Sequence, residues 1–254
     1  MTDRLGKIAA PVVVGLLMLG LWQLLIGVLG VGPATIPTPT AVAAQYGVYT
    51  DIIVEDALIT GGNALAGLLV GAVLGILLAA VAANSRIADG MLVPVVAALA
   101  VVPIVALTPI FNTMFGASTQ FGRQAIAAIA AFVPVFVNVL RGLRQTRPVH
   151  RDLLRAYAAS RPTTFRMLTL PTALPYLLTG LRIAASLAVI SALVAEYFGG
   201  PADGLGTAIA SYAKSGNAAL AWAYVGAGIV VGLVFFLVTL LLETLVARRR
   251  GPAH

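Results

Sequence analysis

The sequence contains no cysteine and few charged residues. Only 10% of its 254 residues are Asp, Glu, Lys or Arg, whereas soluble proteins average about 25%. Without cysteine the chain has no disulfide framework, no thiolate metal site and no cysteine nucleophile. The scarcity of charge, together with 60% hydrophobic residues, excludes a disordered chain, a nucleic-acid-binding domain and an ordinary soluble enzyme.

Sequence motifs for chemistry are missing as well. The chain has no G-x-x-x-x-G-K-[ST] segment to hold ATP phosphates, no Ser-His-Asp set, no paired catalytic carboxylates and no metal motif. We therefore expect a protein that is not an enzyme and that binds no cofactor or metal itself. Any energy for its work would come from a partner chain or from an ion gradient.

Long apolar runs are abundant instead. A helix needs roughly 20 apolar residues to cross about 30 Å of hydrocarbon. The sequence predicts an all-α integral membrane protein, with residues 1–254 forming one transmembrane domain of about six helices. The predicted spans are about 8–30, 62–83, 91–115, 122–142, 175–198 and 220–246, and a loop of about 143–171 lies between the fourth and the fifth.

Glycines and prolines mark two of these spans. Gly67, Gly71 and Gly75 recur every four residues, which places them on one helix face and favours close approach of a neighbouring helix. The third span contains several prolines, among them Pro103 and Pro109, so we expect it to be kinked or broken.

Lys and Arg determine the predicted orientation. Fourteen of the 16 basic residues fall on the side that holds both termini and the 143–171 loop, and only Arg123 and Lys214 fall on the other. Cytoplasmic loops of membrane proteins carry an excess of Lys and Arg. Both termini and this loop are therefore expected in the cytoplasm. The arginines of the loop could simply anchor this orientation and touch anionic lipid.

The 143–171 loop has a pattern of its own. Asp152 to Tyr157 suits a short helix, small residues follow, and Pro162 suits the first turn of a second short helix. Pro171 and Pro175 are expected to end that second helix and to start the fifth span. The sequence thus predicts a compact helix-turn-helix rather than a flexible linker.

This loop resembles the loop of the permease subunits of binding-protein-dependent ABC importers. The family pattern is Glu-Ala-Ala, three residues, Gly, nine residues, Ile, one residue, Leu-Pro. With Leu170-Pro171 as the anchor, the Ile falls on Leu168, the Gly on Ala158 and the acidic triplet on Asp152-Leu153-Leu154. The spacing agrees at every step, with Asp in place of Glu and Ala in place of Gly.

The resemblance covers about residues 35–247. The segments 37–42, 102–109, 132–143 and 195–206 are similar to the branch that moves nitrate, sulfonates, taurine, thiamine-precursor pyrimidines and riboflavin. Within this branch the sequence leans towards the pyrimidine and riboflavin permeases, and the other solutes stay open.

The resemblance implies a type I importer permease in the bacterial cytoplasmic (inner) membrane. Its expected partners are a second permease copy, forming a homodimer, a cytoplasmic ABC ATPase dimer that binds ATP and Mg, an extracytoplasmic solute-binding protein and membrane lipid, with no nucleic acid. The residues that it assigns to ATPase coupling are Asp152, Leu153, Leu154, Ala158, Ala159, Ser160, Leu168, Leu170 and Pro171.

Four polar residues inside the spans are candidates for the translocation pathway or gate: Glu196, Thr108, Asn112 and Asn138. Each has a structural alternative. Glu196 could be an interfacial glutamate in water, Thr108 could bond back to its own helix, and Asn138 could join two helices. A buried Glu196 beside broken helices would also suit an ion-coupled secondary transporter, which is the main alternative function.

Overall fold

The computed structural model describes residues 2–30, 32, 35–116 and 118–249, with side chains described for these residues except 2–9, 11, 105 and 247–249. The outermost ends of the predicted 1–254 domain, residue 1 and residues 250–254, lie outside this part. The described chain consists of α-helices, one 3₁₀ turn and one π turn, joined by short loops, and it contains no β-strand.

Ten α-helices make up the described chain. They are α1 (Thr2–Leu29), α2 (Pro39–Asn84), α3 (Arg86–Val101), α4 (Thr108–Phe115), α5 (Phe121–Arg144), α6 (Pro148–Ala156), α7 (Arg161–Thr164), α8 (Leu170–Tyr197), α9 (Leu205–Lys214) and α10 (Ala218–Arg249). The 3₁₀ turn Ile104–Leu107 separates α3 from α4, and the π turn Phe165–Thr169 joins α7 to α8.

Five helical segments among the described residues are long and apolar enough to cross a membrane. They are Val12–Leu29, Pro39–Asn84, Phe121–Arg144, Arg161–Tyr197 and Ala218–Val246. The remaining predicted span, 91–115, is divided into α3, the 3₁₀ turn and α4. The break follows from Pro103, because Val102 before it has φ −70° and ψ 129°, the extended backbone that a following proline favours.

Helix α2 begins at Pro39, well before the apolar span predicted at 62–83. Thr38 caps this helix, since its Oγ1 accepts a hydrogen bond from the Ala41 N–H at 3.3 Å and Pro39 occupies the first turn. The segment before residue 62 is therefore helical, and it packs with α9 and α10 around Ile53, Leu205 and Tyr224.

Helices α2, α5 and α8 form the core. The glycine face of α2 lies directly on α5: a Cβ on Gly71 would lie 2.9 Å from the Ala131 Cβ, and one on Gly75 would lie 3.0 Å from the Val135 Cβ. Fully buried alanines such as Ala188 continue the close packing on α8. Small residues let these backbones approach closely, which is how helices associate where no hydrophobic effect drives them together.

We expect Gly71→Leu to separate α2 from α5, because no space exists beside its Cα. Overpacking of this kind costs about 1–3 kcal/mol, so the midpoint of thermal unfolding in detergent should fall by several degrees. Gly62→Leu on the same helix is the matched control, since nothing lies within 4 Å of a Cβ built there. Equal midpoints for the two variants would contradict the close-packed face.

Candidate functional site

Two groups of residues stand out, at opposite ends of the core helices. The first, which we call the loop segment, is residues 143–171 and includes α6 and α7. The second, which we call the polar cluster, consists of side chains from α2, the N-terminal end of α5 with its cap residue, α8, the α8–α9 loop and α9. Its members are Asp56, Thr60, Asn63, Gln120, Arg123, Glu196, Asp203 and Thr207.

The two helices of the loop segment lie on the surface. Neither α6 nor α7 buries any of its residues. The Asp152 carboxylate and the Arg155 guanidinium form an ion pair at 3.3 Å, and both side chains are exposed to solvent. Leu153 is 55% exposed. Ser160 caps α7, because its Oγ accepts a hydrogen bond from the Thr163 N–H at 3.4 Å. The expected helix-turn-helix is thus present and open to a partner.

Ala158 forms the turn between α6 and α7 in a left-handed conformation, with φ +53°. Its N–H donates to the Arg155 carbonyl at 2.9 Å, and the Ala159 N–H donates to the Leu154 carbonyl at 3.0 Å. This pair of bonds is a Schellman motif, which places a left-handed residue, usually glycine, just after the helix. Ala158 is the position that aligns with the glycine of the family pattern, so the structure supplies the physical reason for that glycine.

The expectation that Pro171 and Pro175 end a helix is wrong. The helix continues from α7 through the π turn into α8, and Pro175 lies inside α8. In the π turn the Leu170 N–H donates to the Phe165 carbonyl, five residues back rather than four. The wider turn lets the chain pass the prolyl ring of Pro171 without the clash that proline makes in a regular α-helix.

Glu196 is the acidic centre of the polar cluster and is only 1% exposed. Its Oε2 accepts hydrogen bonds from the Thr60 hydroxyl at 2.7 Å and from the Gly206 N–H at 3.1 Å. Its Oε1 accepts one from the Asn63 amide at 3.3 Å. A buried carboxylate needs such donors to replace water, and here they come from two different helices.

Arg123 is the basic centre of the cluster and is completely buried. Its guanidinium contacts the Asp203 carboxylate at 2.7 Å and the Pro201 carbonyl at 2.6 Å. It also donates to the Thr207 hydroxyl and to the Gln120 side-chain oxygen, each at 3.0 Å. The charge of Arg123 therefore fixes the position of the whole α8–α9 loop, because most of its acceptors belong to that loop or to the first turn of α9.

The start of α9 is capped by the same cluster. The Gly204 N–H donates to Asp56 Oδ1 at 2.8 Å, the Leu205 N–H donates to Thr60 Oγ1 at 2.9 Å, and the Gly206 N–H donates to Glu196. Two carboxylates at a helix N-terminus are favourable for the helix dipole. Gly204 has φ +84°, and a Cβ there would lie 2.7 Å from the Glu196 carboxylate, so glycine is required.

The structure does not gather the four pathway candidates into one site. Glu196 belongs to the polar cluster, and Asn112 lies beside it, because a Cβ on Gly199 would lie 3.2 Å from Asn112 Nδ2. Thr108 is fully buried and its hydroxyl has no hydrogen-bond partner among the described residues. Asn138 donates to the Pro134 carbonyl of its own helix at 2.8 Å rather than to another helix. Their role in a pathway stays a prediction.

Several cluster residues escaped the sequence-based search, notably Thr60, Asn63, Arg123 and Asp203. A signal for them was present. Asn63 and Thr60 are polar residues one and two turns before Gly67, where the glycine face of α2 begins. Arg123 is one of only two basic residues on the side of the membrane that faces away from the 143–171 loop. What the sequence does not show is that these residues meet, since they are far apart along the chain.

The fold and these two groups define a class before any relative is considered. That class is a helical membrane protein with several membrane-length helices, a close-packed core, an interrupted helix and an exposed helix pair at one end. A model of the family described as "Binding-protein-dependent transport system inner membrane component" matches residues 71–251. The chain belongs to this family and is the multi-pass inner-membrane permease subunit of a binding-protein-dependent ABC importer, a component that is not itself catalytic.

Individual relatives agree with this assignment. The chain is 31% identical over 202 residues to the formylaminopyrimidine transport permease protein of Halalkalibacterium halodurans, covering 77% of this chain and 78% of the relative. It is 29% identical to the riboflavin transport system permease protein of Chloroflexus aurantiacus, covering 76% and 72%. It is 32% identical to the taurine transport system permease protein of Escherichia coli, covering 65% and 58%.

A solved structure shares the fold. The crystal structure of an amino acid ABC transporter with histidines superimposes with a TM-score of 0.61 at 17% sequence identity, covering 81% of this chain and 97% of that one.

Among the residues that our structure describes, no group of three or more His, Asp and Glu side chains is placed to hold a metal ion.

We expect Asp203→Ala to destabilise the protein by about 3 kcal/mol, because it leaves the buried Arg123 without its charged partner. The double variant Arg123→Met/Asp203→Ala should lose less than the sum of the two single changes, since no unpaired charge remains. Unfolding free energies in detergent test both statements. Lys214→Ala, which removes an exposed charge on α9, is the control and should stay within about 0.5 kcal/mol; an equal effect there would refute the account.

Ala158→Gly should stabilise the loop segment by about 1 kcal/mol, because glycine adopts φ +53° without the cost that a Cβ carries. Amide hydrogen exchange in α6 should slow accordingly, by about fivefold. Ala159→Gly is the matched control, because it introduces glycine at the adjacent residue, where the backbone φ is not positive. This variant should not slow amide exchange in α6. Faster exchange in Ala158→Gly would count against the left-handed turn.

Proposed function

We propose that this permease pairs with a second copy of itself and docks a cytoplasmic ABC ATPase dimer through the loop segment. ATP and Mg²⁺ bind in the ATPase, and an extracytoplasmic solute-binding protein delivers the solute. The observation that carries the proposal is the turn at Ala158, where the left-handed backbone coincides with the glycine of the family's loop pattern. The 14 basic residues on the loop side favour a cytoplasmic location for the loop.

The loop segment has the surface that a docking element needs. Leu153 and Tyr157 are 55% and 77% exposed on helices that bury none of their own residues. Large apolar side chains presented together on a polar, charged surface are typical of protein–protein contacts. The other residues of the predicted coupling set follow the same path: Asp152 and Leu154 on α6, Ala159 and Ser160 in the turn before α7, Leu168 in the π turn, and Leu170 and Pro171 at the start of α8.

A continuous helix links this docking surface to the other end of the protein. The helical segment Arg161–Tyr197 has 37 residues, which corresponds to about 55 Å at 1.5 Å per residue. It begins in the loop segment and ends beside Glu196, whose carboxylate caps α9. A push of the ATPase on the loop would therefore reach α9 through one continuous helical segment.

This geometry suggests how the pathway candidates divide their work. Glu196 is buried in the polar cluster, so we propose that it shapes the outer gate by holding α9 rather than by touching the solute. Thr108 and Asn112 carry buried oxygen atoms without hydrogen-bond partners, on the helix that follows the break. They are the better candidates for direct contact with the solute when the helices move. Asn138, in the second half of α5, is a further candidate.

For the solute we propose a thiamine-precursor pyrimidine or riboflavin, with nitrate, a sulfonate or taurine as the second choice. The support is the similarity to relatives named for formylaminopyrimidine and riboflavin transport. The taurine permease supports the second choice. The test is the uptake of labelled solutes into proteoliposomes that contain the assembled importer. It would distinguish the pyrimidine and riboflavin group from the nitrate, sulfonate and taurine group.

The direct test is to purify the tagged chain from its native membrane in mild detergent and to count the subunits that copurify. We expect one ATPase per permease. Asp152→Arg and Ala158→Glu should remove the ATPase while leaving the unfolding midpoint of the permease unchanged, because α6 buries none of its residues and both positions are exposed. Lys214→Glu, at the opposite end, is the control and should retain it. A chain that purified alone and drove uptake with an ion gradient would contradict the proposal.

A further inference from the structure

A cavity of about 650 Å³ lies between the loop segment and the core. One wall is apolar and is formed by the ends of α2, α5 and α8, with Ile76, Val139 and Leu177 among the side chains that line it. Helices α2 and α5 end near this cavity and α8 begins there, so we expect it at the level where a bilayer passes from acyl chains to head groups. The cavity therefore joins an acyl-chain environment to a polar one.

The opposite wall is positively charged. Arg151, Arg155 and Arg161 all line the cavity from the loop segment. Arg155 pairs with Asp152, whereas for Arg151 and Arg161 no carboxylate lies within ion-pair distance in the part of the chain that the structure describes. The cavity thus offers two unpaired guanidinium groups and no acidic side chain of its own.

The occupant of such a cavity must carry both an anionic group and an apolar body. A small inorganic anion would pair with the guanidinium groups but would leave the apolar wall, which includes Ile76, exposed to water. A neutral lipid would cover that wall but would leave the guanidinium groups without an acceptor. Arginine binds phosphate oxygens in a bidentate way, and basic pockets between membrane helices take anionic head groups.

We propose that this cavity binds one anionic phospholipid per chain, with its phosphate between Arg151 and Arg161 and an acyl chain along the wall formed by α2, α5 and α8. The lipid lies where the loop segment joins α8, next to Phe165 and Leu170. It fills the space behind the helix pair and stiffens the connection between the loop segment and α8. This site adjoins the docking surface at Ala159 and Leu170, but Leu153 and Tyr157, the exposed apolar residues that we assign to the ATPase, do not line it.

The test uses the full chain, delipidated in detergent with the subunits that copurify, and titrated with phosphatidylglycerol or phosphatidylcholine while bound lipids are counted by native mass spectrometry. We expect one phosphatidylglycerol per permease chain, bound more tightly than phosphatidylcholine. Arg151→Gln/Arg161→Gln should weaken phosphatidylglycerol binding about 25-fold, at about fivefold for each arginine. Arg147→Gln/Arg166→Gln removes two arginines of the same loop that do not line the cavity, and should change binding less than twofold.

A second variant tests the apolar half. Ala80→Phe narrows the cavity on α2 without touching an arginine, and should weaken phosphatidylglycerol binding about tenfold. Equal losses in the two arginine pairs would show that charge alone attracts the lipid and would overturn the site. Displacement of the lipid by millimolar inorganic phosphate would reassign the cavity to a free anion. Absence of the lipid from the complex, with its presence on the free permease, would reassign it to ATPase docking.

Discussion

The buried guanidinium of Arg123 is the constraint on which one end of this protein depends. With no water in contact, its charge must be met entirely by protein oxygens, and leaving such a group unpaired costs several kcal/mol. Most of those oxygens come from the α8–α9 loop and the first turn of α9, so the position of Arg123 on α5 determines where the loop lies. The loop in turn delivers the first N–H groups of α9 to Asp56, Thr60 and Glu196.

The close packing of α2, α5 and α8 makes this arrangement possible. Glycine and alanine faces bring the three backbones together, and this packing places Thr60 near the middle of α2 within reach of Arg123 at the start of α5 and Glu196 at the end of α8. At the other end, α8 continues through the π turn Phe165–Thr169 into α7 of the loop segment. One continuous helical segment therefore connects the surface that we assign to the ATPase with the polar cluster that holds α9, which is the arrangement that a transport subunit driven from one side requires.

Much of the fold could be predicted from the sequence because its signals are local. Pro103 sets the backbone of Val102, and the glycines of α2 define a face by their spacing alone. The loop pattern placed a glycine position on Ala158, where the left-handed turn lies. Pro175 was misread because a π turn and the core packing override the local rule that proline ends a helix. The polar cluster could not be predicted, because its residues come from segments that are far apart in the sequence. No local sequence pattern indicates that these side chains contact one another in the fold.

This chain contains no cysteine, so an introduced thiol is a unique label site on the permease, and the central claim can be tested on the functional complex. Ser211→Cys places a thiol on the exposed face of α9, and its reaction rate with a membrane-impermeant maleimide can be followed in proteoliposomes that contain the importer. If α8 carries motion from the loop segment to α9, addition of ATP should change this rate, and Thr60→Val/Glu196→Gln should abolish the change. An ATP response that persisted in that variant, or no response in the parent, would contradict the account.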